Sequence, residues 1–268
     1  MGKIIVRKEL QAIQQLCAIV DKQRWSAIIP AAGTGSRLGY EKPKLLFPIL
    51  GKPIVDWLCD ILIDICGELI FVLSPQGEKP VREYLANRPV NYKIALQHSP
   101  NGMAKAIRAG IDKASNENIV VLWGDQVTAS QETIRICQAL HQQVAGRTLT
   151  LPTIIKEQPY IHLQRDADNR IVNVLERRET TQLPTQGEND CGIFLFNRTF
   201  LRTVLENAFE NNEGKGATTH EFNLLPLLPK FEVASDSVVT LQIDDLMQTL
   251  GVNTREDAER AAGYLAKQ

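Results

Sequence analysis

The chain has 268 residues, 44% of them hydrophobic, and thirty basic against thirty-one acidic residues leave a net charge of −1. That is enough to bury a core as one large domain or two small ones, and the even balance offers no basic excess for nucleic acid or an anionic membrane. No apolar run reaches the length of a membrane span, because Asp60 and Asp64 divide the longest candidate, and the first residues lack a signal-peptide apolar region.

The first predicted element is an amphipathic helix over 8–22, with Leu10, Ile13, Cys17 and Val20 at spacings of three, four and three. Residues 1–24 are read as an extension that packs on the body of the domain, with a dimer contact as the alternative. From Trp25 the pattern alternates. Strands are expected at 26–30, 68–73, 92–97 and 118–123, with helices at 53–66, 78–86, 102–114 and 131–144. Short apolar runs alternating with helical patterns predict an α/β fold: a Rossmann-like, mainly parallel sheet covered by helices on both faces. Ligands of such sheets gather beyond the carboxyl ends of the strands.

After Thr148 the pattern changes. Residues 161–164 and 170–176 read as a hairpin across Asp166-Ala167-Asp168-Asn169, followed by a polar loop at 179–189 and an apolar strand at 191–196. Helices at 198–209 and 219–228, a strand near 238–243 and a last helix from 254 complete the prediction. One domain, 25–268, is thus expected, with a first half at 25–147 and a smaller, β-rich half at 148–268. The cysteines at 17, 59, 66, 137 and 191 are odd in number and sit among apolar neighbours. Reduced core thiols fit better than disulfides or zinc ligands, and a cytoplasmic protein is the default. The four scattered histidines show no metal spacing.

The stretch Ile28 to Phe47 carries most of the functional information. An apolar strand runs into Ala31-Ala32-Gly33-Thr34-Gly35-Ser36-Arg37, and Lys44 follows seven residues later. Gly33 and Gly35 let several backbone N–H groups converge on one anion, Arg37 can fork onto phosphate oxygens, and Lys44 supplies a compact charge. Together they suggest a triphosphate pocket, although a glycine turn after a strand is also an ordinary structural turn. A dinucleotide fingerprint fails, because Leu38 stands where its third glycine is needed and Ser74-Pro75 follow the second strand without an acidic residue. A P-loop fails too, since this loop has Gly-Ser-Arg.

Ala31 to Leu38, followed by Lys42-Pro43-Lys44, resembles the signature of nucleoside-diphosphate-sugar pyrophosphorylases. The spacing to Lys44 is most similar to the uridylyltransferase domain of N-acetylglucosamine-1-phosphate uridyltransferases, and the resemblance extends from about Trp25 to the C-terminus. It implies a nucleotidyltransferase domain at 25–268, with a nucleotide-binding half at 25–147 and an acceptor-binding half at 148–268. The reaction implied is magnesium-dependent transfer from a pyrimidine nucleoside triphosphate, UTP or dTTP, to a sugar 1-phosphate, releasing pyrophosphate. The partners are then that triphosphate and a phosphorylated small molecule, with a homo-oligomer left open.

Individual residues follow from the chemistry and the resemblance together. Arg37 would neutralise the leaving pyrophosphate and Lys44 the α-phosphoryl oxygens. Gln97 offers an amide donor and acceptor to the imide edge of uracil or thymine, and Gly102, beside Met103, would let the backbone approach the base. Gly124-Asp125 closes a strand with a carboxylate that can hold magnesium, though Gly-Asp is equally common in turns. The resemblance implies Asn253 as the second oxygen ligand, against the plain alternative of a helix cap. It also places Glu176 on sugar hydroxyls, Arg177 on the sugar phosphate, and Asp190 with Gly192 where relatives have Asn-Thr-Gly. Ile161 stands at a glycine position of those relatives. The alternatives are a nucleotidyltransferase for a non-sugar phosphate, or a non-catalytic sugar-nucleotide-binding subunit.

Overall fold

The computed structural model describes residues 3–6, 20–33 and 35–268. The helix expected at 8–22 lies almost wholly outside them, as do Cys17 and Thr34. Eight strands run across the main sheet. In chain order these are β1 (Lys3–Val6), β2 (Trp25–Pro30), β3 (Glu68–Leu73), β4 (Tyr92–Leu96), β5 (Asn118–Leu122), β6 (Leu149–Glu157), β10 (Ile193–Asn197) and β11 (Val238–Gln242). Between β6 and β10 come β7 (Ile161–Arg165), β8 (Ile171–Glu176) and β9 (Gln186–Asp190). The main sheet has the order β1-β11-β6-β10-β5-β2-β3-β4, with β9 added on β6, while β7 and β8 form a separate antiparallel pair.

Pairing is parallel from β5 through β2 and β3 to β4, and again from β6 through β11 to β1; β10 runs antiparallel to both β5 and β6. The Rossmann-like, mainly parallel architecture is therefore as predicted. Strands from both halves of the chain share one sheet. This brings the loop after β2 and the segment after β11 to the same region.

Helices cover both faces. Alternation along β2 sends Trp25, Ala27 and Ile29 to one side and Ile28 to the other. The first face packs against α1 (Ile54–Leu62) and α4 (Gln131–Gln142), through Leu58, Leu62, Ile134 and Leu140. The second packs against α3 (Met103–Ile111) and α5 (Arg198–Glu210), through Ile107, Ile111, Leu201 and Leu205. The stripe of Leu58, Ile61 and Leu62 on α1 is core, as its spacing requires. Helix α2 (Pro75–Leu85) begins before the expected 78, because Ser74 caps it by accepting from the Gly77 N–H and Pro75 suits a first turn. The last helix, α6 (Arg255–Leu265), begins where expected.

Three elements differ from the sequence reading. The helix expected at 219–228 is a 3₁₀ segment over Leu225–Phe231, because Pro226 and Pro229 deny the backbone two donors. The polar loop at 179–189 contains β9, which pairs antiparallel with β6 from Gln186↔Glu157 to Asp190↔Thr153. Strand β6, unanticipated, ties β9, β10 and β11 together. Cys59, Cys66 and Cys191 are buried free thiols, and Cys137 is buried as well. No helix among the described residues is long and apolar enough to cross a membrane.

His141 on α4 gives the core a pH dependence. It is buried edge-on to Trp25 with Nδ1 3.0 Å from Thr150 Oγ1, and burial lowers its pKa from 6.5 to about 3. The unfolded chain therefore takes up a proton below pH 6.5 that the fold refuses until about pH 3. Stability from this group is present above 6.5 and declines on acidification, by up to ~1.4 kcal/mol per pH unit. Asp190, whose pKa burial raises to about 6, acts with the opposite sign between 3.8 and 6. Thermal melts of wild type and His141→Asn at pH 7.5 and 4.5 isolate the histidine: the acid-induced fall in Tm should be smaller in the variant.

Candidate active site

The loop after β2 is fastened at both ends. Ala31 donates its N–H to Val72 O at 2.8 Å, and Ala32 and Gly33 run on along the edge of a cavity. Gly35 adopts φ +65°, and a Cβ there would stand 2.8 Å from Lys44 Cβ, so the loop admits the lysine stem only because this position is glycine. A 3₁₀ turn over Ser36–Leu38 then presents Arg37 and buries Leu38. Arg255, at the start of α6, clasps the turn by donating to Leu38 O at 3.2 Å and Gly39 O at 3.3 Å.

Lys44 begins a second 3₁₀ turn, Lys44–Leu46, whose Leu45 is buried. Its Nζ lies 2.8 Å from Asp125 Oδ2 and 3.0 Å from Asn253 Oδ1, and Arg37 Nη2 donates to the same Asn253 oxygen at 3.2 Å. Four residues separated by up to 216 positions thus meet around one point. Gly124 allows the approach, since a Cβ there would stand 2.7 Å from Pro30 O. Val252 N–H donates to Asp125 O at 3.0 Å, locking the strand-end carboxylate to the segment that carries Asn253. Asn253 is not the helix cap: Thr254 caps α6 in a reciprocal box with Asp257, which frees the Asn253 amide oxygen for the cluster.

This donor set fits magnesium. One carboxylate and one amide oxygen, both hard and already converging on the same cationic atom, match an ion that is held by few protein ligands and otherwise by phosphate and water. Among the described residues no group of three His, Cys, Asp or Glu side chains forms a self-sufficient metal site, so the ion would depend on the nucleotide.

Two cavities open here, one along the loop and one on the cluster. The smaller, about 340 Å³, is lined by Ala32, Gly33, Gln97, His98, Gly102 and Met103 among others; the larger, about 410 Å³, reaches from Arg37, Asp125 and Asn253 to Glu176 and Asp190. Met103 lines both. The Gln97 amide hydrogens are committed to Asn101 Oδ1 and Gly102 O, each at 2.9 Å, so only its oxygen is left for a base. The expectation of a paired donor and acceptor is corrected to that extent. Gly102 also differs from expectation: its φ is +106°, and a Cβ would collide with the Phe222 backbone. The glycine joins the base-side loop to the acceptor half, through Phe222 N–H to Asn101 O and Ala104 N–H to Phe222 O. Gly102→Ala should therefore weaken nucleotide binding at least about tenfold and lower Tm, both readable from one thermal-shift titration with UTP, since strain at such a position costs about 1–3 kcal/mol.

On the acceptor side, Glu176 ends β8 and lies in the larger cavity. Its Oε2 accepts from Arg178 Nε at 2.9 Å, its Oε1 has no donor, and burial raises its pKa. Asp190 accepts the Gly192 N–H at 2.7 Å and is also buried. Gly192 itself, at φ +70°, sits against Gln126 and Trp123. Arg177 is turned away from the cavity, donating to Gln158 O at 3.0 Å and Pro159 O at 3.1 Å. Arg178 takes its place, bridging Glu176 and Asn223 Oδ1. Arg178, Asn223, Gln126 and Lys156 all line the cavity and were missed; only Arg178, two residues beyond Glu176, carried a usable sequence signal.

A family model for the MobA-like NTP transferase domain matches residues 27–181, more than half the chain. The chain belongs to this MobA-like NTP transferase family. The bifunctional protein GlmU of Fervidobacterium nodosum is 31% identical over 232 residues, which is 85% of this chain and 48% of that protein. GlmU of Thermodesulfovibrio yellowstonii is 28% identical over 241 residues, 89% of this chain and 51% of that protein. The chain spans about half the length of the curated relatives it matches. A solved Bacillus anthracis structure, provisionally assigned as a glucose-1-phosphate thymidylyltransferase and crystallised with sucrose, superposes with a TM-score of 0.70 at 18% identity, covering 91% of this chain and 96% of that one. That likeness bears on the fold. The resemblance to sugar-nucleotide pyrophosphorylases read from the glycine loop is upheld.

The MobA-like match ends at residue 181, so Asp190, Gly192, Asn223 and Asn253 lie beyond it. Ile161 is buried on the lining of the larger cavity, and its N–H donates to Asn189 Oδ1 at 3.0 Å.

Proposed function

We propose that this chain transfers a nucleotidyl group from a pyrimidine nucleoside triphosphate to a phosphorylated small molecule of the sugar 1-phosphate type, giving a diphospho-linked product and pyrophosphate. One observation carries the reading: Lys44, Asp125, Asn253 and Arg37 are joined by polar contacts of 2.8–3.2 Å, and Arg37, Asp125 and Asn253 line the larger cavity, which shares Met103 with the smaller one. A lone triphosphate binder would not need the further cavity that reaches from that cluster to Glu176 and Asp190.

In this reading the triphosphate lies along the loop 31–37, with its base in the cavity of Gln97 and Gly102. Lys44 Nζ exchanges its contact with Asp125 for the α-phosphoryl oxygens, and Arg37 neutralises the β- and γ-phosphates. Asp125 and Asn253 would hold magnesium, which supplies charge neutralisation to the phosphates gathered there. An acceptor phosphate oxygen forms the new bond to the α-phosphorus while the bond to the bridging oxygen of the β-phosphate breaks, and that electron pair leaves with pyrophosphate. No general base is needed, because the attacking phosphate is already anionic at neutral pH. Positioning and charge neutralisation do most of the catalysis in such transfers.

The test is pyrophosphate release over a matrix of UTP, dTTP, CTP, ATP and GTP against glucose 1-phosphate, N-acetylglucosamine 1-phosphate and non-sugar phosphates, with magnesium. Turnover with a pyrimidine nucleotide and one acceptor class is expected. Nucleotide binding with no turnover for any pair would reject the transferase reading in favour of a binding subunit.

A further inference from the structure

The larger cavity carries more polar groups than phosphoryl chemistry requires, and they are unevenly signed. Asp190 is 5% exposed, accepts only the Gly192 and neighbouring backbone, and has no ion pair among the described residues. Glu176 is 3% exposed, and its Oε1 is unpartnered although Arg178 takes Oε2. Gln126, 5% exposed, also has an unpartnered Oε1. These groups adjoin one another. Glu176 is close enough to Asp190 to raise its pKa, and the Gly192 that Asp190 holds lies against Gln126 and the Trp123 indole. The wall therefore presents uncommitted oxygens, two of them on carboxylates, beside an aromatic ring. Asn223 Nδ2 is the one unpartnered buried donor on it.

Two buried carboxylates facing one cavity are costly unless a cation joins them. Burial pushes both pKa values up, that of Asp190 to about 6, so the empty cavity already resists their charge. Resting on the transferase reading above, we propose that the acceptor is a phosphate monoester bearing a protonated amine, seated with its ammonium against Glu176, Asp190 and the Trp123 ring. An ammonium offers three donors and needs no acceptor, and an indole face attracts it. A hydroxyl in the same place brings one donor and no charge. An N-acetyl group would bring a carbonyl and a methyl against two carboxylates, where Ile161 already takes up space. Lys156, its pKa held down by burial, makes no hydrogen bond or ion pair among the described residues, although it is near enough to Asp190 to favour that carboxylate's charge, and it stays available to the acceptor's phosphate.

Such an amine can belong to an amino sugar phosphate or to an amino alcohol phosphate, and paired acceptors separate the two. Pyrophosphate release is measured with UTP, dTTP or CTP and magnesium, using glucosamine 1-phosphate against glucose 1-phosphate, and phosphoethanolamine against ethyl phosphate. The amine-bearing member of at least one pair should show kcat/KM about tenfold higher or more, the scale of one desolvated cation–aromatic contact. Preference within the sugar pair assigns an amino sugar, and preference within the other assigns an amino alcohol. Asp190→Asn, whose amide oxygen can still accept the Gly192 N–H, should bring the ratio towards one. Equal or better use of the uncharged members, or a wild-type ratio in Asp190→Asn, overturns the proposal and leaves the transferase reading intact. If no pair releases pyrophosphate, the transferase reading falls instead. Calorimetric titration of the same four compounds then decides the amine preference: tighter binding of an amine-bearing member supports it, and equal or absent binding overturns it.

Discussion

Lys44→Ala should lower the rate of pyrophosphate release by roughly a hundred- to a thousandfold, the range seen when one preorganised charge or donor at a reacting centre is removed. The lysine side chain is 14% exposed and its Nζ contacts both Asp125 and Asn253. Its position is set by the turn at Lys44–Leu46, the buried Leu45, and a Gly35 whose missing Cβ admits the lysine stem. An alanine leaves Asp125, 22% exposed, without its counter-charge and, in the proposed reaction, would leave the α-phosphoryl oxygens without that cation. Arginine is no substitute, because its planar fork cannot occupy the pocket of a single ammonium. Lys44→Arg should therefore fail nearly as badly as Lys44→Ala, while UTP binding, shared with the loop amides and Arg37, weakens far less. A melt of each variant separates loss of fold from loss of turnover. An unchanged rate in Lys44→Ala would remove the residue from the chemistry.

Much of this arrangement was legible in the sequence, for identifiable reasons. Strands β2, β3, β4 and β5 are short apolar runs flanked by helical periodicity, so their parallel pairing and the gathering of loop, Gln97 and Asp125 at one edge followed directly. The second half was harder to read. Strand β6 carries Pro152, which argues against a strand in the middle of a sheet, yet it is the strand on which β9, β10 and β11 all pair. Strand β9 reads Gln-Gly-Glu-Asn-Asp, with no apolar residue, and owes its conformation to pairing with β6. Local pattern carries no record of such a partner.

The site shows the same division. Which of Arg177 and Arg178 enters the cavity depends on how the chain leaves β8, because neighbouring side chains diverge there and the two residues look alike in sequence. Asn253, by contrast, could have been separated from a helix cap by inspection. Thr254 followed three residues later by Asp257 is a capping box, so the preceding asparagine was free for another role. Asn223 and Gln126 sit in unremarkable sequence and are recognised only by a buried polar atom that lacks a partner.

Asp125→Asn should be nearly as damaging as the loss of Lys44, and it tests a different part of the site. The substitution preserves size and one carbonyl oxygen, so the Val252 N–H bond to the backbone and the packing around Gly124 are untouched. What disappears is the only carboxylate among the described residues in contact with Lys44, and with it the charge that a magnesium ion would need from the protein. Turnover should fall roughly a hundredfold or more, as when an electrostatic group at a reacting centre is lost. The magnesium concentration for half-maximal rate should rise. Asn253→Ala, which removes a neutral ligand, should raise that concentration with a smaller loss at saturating metal, and chelation by EDTA should silence the wild type. The two variants must differ in this order, because a carboxylate binds a hard dication through charge and an amide only through its dipole. If Asp125→Asn keeps the wild-type magnesium dependence, then Asp125 serves to hold Lys44 in place, and the protein's share of the metal site lies elsewhere.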